Sequence, residues 1–192
     1  RMHWLYFDAE SPAHLDVAGF SYDSTCGYNE TVGYRAGTAQ AFTPPGCASL
    51  LELPLHVMDT ALFYPDRLGL AQDEGVARCL PMVSRAAQEG GTVVVNWHDR
   101  SLVPERLWTR AYDALLSELD GHQPWYATAR DAAAWFRKRR GVSFARRADD
   151  SISVDPGAGE DPVPGLLVAV DTPSGRASSD LTSAHGIGIS LS

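Results

Sequence analysis

Thr92-Val93-Val94-Val95-Asn96-Trp97-His98-Asp99 places three consecutive valines behind a threonine, with no polar residue alternating between them. A β-branched run of that kind is the pattern of a strand covered on both faces in a parallel sheet. His98, Asp99 and Arg100 then mark its carboxyl end. Upstream, Val76, Leu80, Val83 and Ala87 share one face of a helix predicted over Gln72 to Glu89, which Gly90-Gly91 terminates and Pro81 should kink. Downstream, Leu107 or Trp108, Ala111, Leu115 and Leu119 repeat at helical spacing and predict a helix over Pro104 to Leu119. Helix, strand and helix in succession mean an α/β fold with parallel strands, either an open sheet or a barrel.

The flanking segments extend the pattern. Strands are predicted at His3 to Phe7 and near Phe20 to Asp23, joined by a short helix that Ser11-Pro12 starts and Gly19 stops. Leu50 to His56 reads as a strand interrupted by Glu52 and Pro54, and a last strand falls near Trp125 to Ala127. Thr128-Ala129-Arg130-Asp131 is a near capping box with Asp in place of Glu or Gln, opening a helix that ends in Arg137 to Arg140 and Gly141. Residues 145–192 are rich in Gly, Ser, Asp and Pro and contain no aromatic residue. They read as a linker or tail with weak strands at Ser151 to Val154 and Leu166 to Asp171, which divides the chain into residues 1–144 and 145–192.

With 24 acidic and 16 basic residues among 192, the formal charge is −8, which argues against a general nucleic-acid binder. The cluster of Arg137, Lys138, Arg139, Arg140, Arg146 and Arg147 is first a solvated helix end. No apolar run approaches the ~20 residues of a membrane helix. Cys26, Cys47 and Cys79 are an odd number without metal-ligand spacing and read as free thiols. The chain opens at Arg1 directly into His3-Trp4-Leu5-Tyr6-Phe7, as though cut from something longer. A targeting region could precede it, so the compartment stays open, the cytoplasm being slightly favoured.

In parallel α/β folds reactive groups gather at the carboxyl ends of the strands. That rule ranks His98 first. A carboxylate within hydrogen-bonding reach would favour its protonated ring, the form a general acid needs. Its bland alternative is a histidine capping loop carbonyls. Arg35, within Gly33-Tyr34-Arg35-Ala36-Gly37-Thr38, could fork onto a carboxylate, or simply form a surface pair worth little energy. His56 and Asp59 could both face a cleft, one contacting substrate and the other orienting a histidine. Equally, His56 could be a satisfied half-buried residue and Asp59 a helix cap. Without a third ligand they make no metal site. Asp23 and Asp99 close or follow candidate strands, and Trp97 adjoins His98 at the expected mouth. Most of the five tryptophans should be core.

Several strings together resemble the later half of a bacterial polysaccharide deacetylase (NodB-type) domain, in a divergent branch. They are Arg1-x-His3-Trp4-Leu5, Ala18-Gly19-Phe20 leading to Tyr22-Asp23-Ser24-Thr25, the Arg35 string, Leu53-Pro54-Leu55-His56-Val57-Met58-Asp59, and Asn96-Trp97-His98-Asp99. The likeness covers Arg1 to Arg140. It implies a partial distorted (β/α) barrel and metal-dependent hydrolysis of an N-acetyl, or sometimes O-acetyl, group on a glycan. The family's divalent metal, usually zinc, is held by early-strand ligands that are absent from this chain, so the chain alone is expected to be inactive. By resemblance, Arg35 is the arginine that fixes the catalytic base, and His98 is the late histidine that protonates the leaving amine. Asp59 stands for the carboxylate that tunes it, and His56, Trp97, Asp23 and Asp99 are expected to line the substrate. Asn96 departs from the family's usual leucine. Two other classes compete: a non-catalytic module that binds glycan or protein, and a glycoside hydrolase, which needs two opposed carboxylates about 5 to 10 Å apart.

Overall fold

Local hydrogen bonds override β-propensity at the start of the chain. His3–Leu5 forms a 3-10 turn in place of the predicted strand, with Trp4 and Leu5 at φ 59° and 54°. Among the described residues no strand pairs with it. Instead the Met2 amide donates to Thr25 Oγ1 and Asn29 Nδ2 donates to the Trp4 carbonyl, while Leu5 alone is buried. In this computed structural model, residues 1–148, 151–155, 157, 165–172, 175–181 and 187–189 are described, and the chain divides into two compact units, Arg1–Tyr126 and Ala127–Ser192.

In the first unit, α1 (Ser11–Val17) has Pro12 in its opening turn and stops before Gly19, whose φ of 84° suits only glycine well. β1 (Tyr22–Asp23) pairs in parallel with β2 (Leu51–Glu52), Asp23 opposite Glu52. The predicted strand from Leu50 to His56 is two strands, because Pro54 offers no amide to a ladder. β3 (Leu55–Met58) follows, and the Leu53 and Leu55 amides continue the pairing by donating to the carbonyls of Asp23 and Cys26.

α2 (Asp59–Phe63) leads to α3 (Gln72–Glu89), which runs unbroken through Pro81 to Gly90 in the left-handed conformation. β4 (Val94–Asn96) pairs in parallel with β3, Met58 opposite Asn96. It is shorter than its valine run suggests and half-buried rather than covered on both faces. A 3-10 turn at Asp99–Ser101 precedes α4 (Thr109–Asp120), which starts later than predicted because the chain turns at Leu107, φ 57°. Trp125 to Ala127 is not a strand, and Trp125 and Tyr126 are exposed.

The core of this unit joins Leu55, Val57, Met58, Ala61 and Leu62 to Cys79, Met82 and Val83 of α3 and to Ala111 and Leu115 of α4. Gly27 lies so close to β3 that a Cβ would sit 2.6 Å from Leu55 Cβ and 2.9 Å from its carbonyl oxygen. Gly27→Ala is expected to cost about 1–3 kcal/mol of stability through overpacking, read as a lower urea midpoint at unchanged m-value.

In the second unit, Thr128 Oγ1 accepts the Asp131 amide and caps α5 (Ala129–Gly141). β5 (Ser143–Arg146), β6 (Ile152–Asp155) and β9 (Ile187–Ile189) form one antiparallel sheet, β7 (Leu166–Thr172) and β8 (Gly175–Leu181) another. Val154, Leu166, Val168 and Leu181 make its core, with Trp135 and Val142 packed against them. Helix α5 thus shares a core with the strands that follow it, and the compact units divide at Tyr126/Ala127, earlier than the compositional change at residue 144. Among the described residues no sheet closes into a barrel, and no helix is long and apolar enough to cross a membrane.

Candidate functional site

Parallel pairing of β3 with β4 brings together the residues that leave their carboxyl ends. Asp59 follows Met58, and His98 comes two residues after Asn96, the partner of Met58. Asp59 is wholly buried. Its Oδ1 lies 2.6 Å from His98 Nδ1 and accepts the Thr60 amide at 2.6 Å. Its Oδ2 accepts the His98 amide at 2.8 Å and the Ser101 hydroxyl at 2.5 Å. With Asp59 as the acceptor, Nδ1 carries the ring proton and Nε2 is left for proton exchange. The His98 side chain is 42 % exposed, which gives a substrate access to the ring. Such a pair can deliver or remove a proton at Nε2 while the buried carboxylate balances the imidazolium charge.

The other residues singled out from the sequence lie elsewhere. Arg35 donates to the Gly27 carbonyl at 2.7 Å, and its guanidinium stands over the rings of Phe7 and Tyr28. Among the described residues it forks onto no carboxylate and shares no partner with Asp59 or His98. His56 is a core histidine rather than a substrate ligand: its Nδ1 accepts the Val94 amide at 3.1 Å, its Nε2 faces the Thr38 carbonyl at 3.4 Å, and the Tyr34 ring meets it edge-on. Burial pushes its pKa down to about 4, so the neutral ring ties β3 to β4 and to the Thr38 loop. Trp97 packs against Phe63 and Tyr112. Its Nε1 is buried without a partner among the described residues. Asp99 is exposed and accepts the amide of Arg100 at the start of the 3-10 turn.

Asp23 does not join the Asp59–His98 pair either. It lies beside Glu52, which sequence reasoning passed over as an interruption of a strand. Both carboxyls are buried at directly paired positions of β1 and β2. Burial pushes Glu52 up to about 7, against the Cys26 amide that donates to Oε1 at 2.7 Å and with the help of the Asp23 charge. For Asp23, the effect of burial is opposed by the Thr25 hydroxyl and the Ser24 amide. The two carboxyls line a largely apolar pocket of about 300 Å³, whose walls include Phe7, Leu15, Phe42 and Pro44. The only signal in the sequence that could have found Glu52 was a charged residue inside an otherwise apolar run.

Among the described residues no three His, Cys, Asp or Glu side chains converge to hold a metal ion, so the divalent metal that the resemblance implies finds no ligand set there. No family model, curated protein or solved structure matches this chain.

Proposed function

We propose that this chain carries the proton-transfer part of a hydrolase that removes acetyl groups, N-acetyl foremost, from a glycan. The observation behind it is the Asp59–His98 pair: a wholly buried carboxylate bonded to the inner nitrogen of a half-exposed imidazole, at the carboxyl ends of two adjacent parallel strands. In this role His98, as imidazolium, gives its Nε2 proton to the departing amine, and Asp59 holds the ring in register and compensates its charge. The parallel pairs β1·β2 and β3·β4, each with polar groups at its carboxyl end, suit the later part of a distorted (β/α) barrel of the polysaccharide deacetylase type.

Release of acetate from N-acetylglucosamine oligomers by the protein that contains this chain tests the proposal. His98→Ala is expected to lower kcat by about 10²-fold or more, the usual contribution of a positioned acid or base, with native circular dichroism retained. Undiminished acetate release from that variant overturns the proposal. Glycan binding without acetate release by the unaltered protein also overturns it, in favour of a recognition module.

A further inference from the structure

We infer that Arg106 and Ser101 form a positioning relay that sets the geometry of the Asp59–His98 pair. The relay depends on the function proposed above for its catalytic consequence, but not for its structural one. Ser101 is wholly buried at the end of the 3-10 turn. Its Oγ receives Arg106 Nη1 at 3.1 Å and donates to Asp59 Oδ2 at 2.5 Å.

The direction of every proton in this chain of bonds is forced. A guanidinium has donors only, so Ser101 must accept from Arg106. The single hydroxyl proton is then free for Asp59 Oδ2. With the His98 amide, this bond saturates Oδ2. Oδ1 is thereby aligned for His98 Nδ1 and the Thr60 amide. Arg106 is itself pinned. Its Nη2 donates to the Tyr64 hydroxyl, and its guanidinium stands 5.0 Å from the centre of the Tyr64 ring and 5.4 Å from that of Trp108. Tyr64 directly follows α2, at whose first position Asp59 sits, and Trp108 directly precedes α4. The Trp108 amide also donates to the Ser101 carbonyl at 2.8 Å. The loop from Ser101 to Trp108 is thus closed on itself, and its Ser101 end is bonded to the carboxylate that orients the imidazole. Neither Ser101 nor Arg106 touches the reacting nitrogen, so both are positioning residues.

The test reads the His98 ring directly, by nitrogen and proton NMR of the folded chain, alongside acetate release by the protein that contains it. The unaltered chain should show His98 protonated at Nδ1, with that proton slow to exchange with water. Ser101→Ala and Arg106→Gln should speed its exchange roughly tenfold or more and shift its resonance, because each removes a bond to a charged group. Arg106→Lys, which retains charge and donor, should restore most of the protection. In turnover, Ser101→Ala should lower kcat roughly tenfold with KM nearly unchanged. Arg106 is half-buried, so its variants remain informative should Ser101→Ala fail to fold. An Nδ1 proton unaffected by Arg106→Gln overturns the relay, whatever happens to turnover. An altered ring signal in a protein that releases no acetate upholds the relay and overturns the hydrolase proposal instead.

Discussion

Asp59→Asn is expected to reduce acetate release by about 10³-fold or more. Four donors converge on this carboxylate: the amides of Thr60 and His98, the Ser101 hydroxyl and His98 Nδ1. An asparagine has one oxygen to offer them. If its amide nitrogen takes the Oδ2 position it opposes the His98 amide, which cannot turn away. With the nitrogen at Oδ1 it opposes the Thr60 amide instead, but there the ring can reverse its tautomer, so that Nδ1 accepts and Nε2 carries the proton. That arrangement satisfies most of the bonds but leaves a ring without a carboxylate to balance imidazolium. Proton donation to a leaving amine then lacks its electrostatic support. Nitrogen NMR of His98 should show the tautomer reversed in the variant, and turnover should fall in kcat rather than in KM. Acetate release within threefold of the unaltered protein would sink the proposed role of the pair.

What the sequence made legible, and what it hid, follows from how far each signal reaches along the chain. The bounds of Gln72 to Glu89 were readable, because an apolar repeat and a terminal glycine pair are local signals, but the buried face runs through Gly75, Cys79, Met82, Val83 and Ala86 and not through Val76, Leu80 and Ala87. The cap at Thr128 was legible too, as was the place of Asp59 and His98 beyond apolar runs, although the strand before Asp59 is Leu55–Met58 and not Leu50 to His56. His3 to Phe7 was misread because aromatic and apolar content argues for a strand only when a partner strand is present, and here side-chain bonds from Thr25 and Asn29 shape the backbone instead. Arg35 between glycines looked available for a carboxylate, yet its nearest partners, the Gly27 carbonyl and the rings of Phe7 and Tyr28, are set by loop packing that no spacing encodes. Ser101 and Glu52 were invisible for a related reason. One reaches its partner across 42 residues, and the other gains its significance only from the strand register that sets it opposite Asp23.

That register leads to the second large effect. Glu52→Gln should make the protein more stable at pH 8 by up to about 3 kcal/mol, with the gain vanishing towards pH 4.5. Burial raises the folded pKa of Glu52 from 4.5 to about 7. Between those values the folded protein holds a proton that the unfolded chain has released, so stability falls as the pH rises through this window and the loss is complete above it. His56 acts in the opposite sense: burial lowers its pKa from 6.5 to about 4, so the unfolded chain binds a proton that the folded protein does not, and stability falls as the pH is lowered through that window. From about pH 4.5 to 6.5 the two slopes oppose one another, and the protein should show little pH dependence from either group. Glutamine removes only the first slope. Its oxygen can still accept the Cys26 amide, and its nitrogen can donate to Asp23, as the protonated acid does. Urea unfolding of both proteins between pH 4.5 and 8 decides the matter: midpoints that diverge steadily above about pH 5 support a proton shared between Glu52 and Asp23. A constant difference at every pH means that Glu52 ionises in the folded state as it does in the unfolded chain.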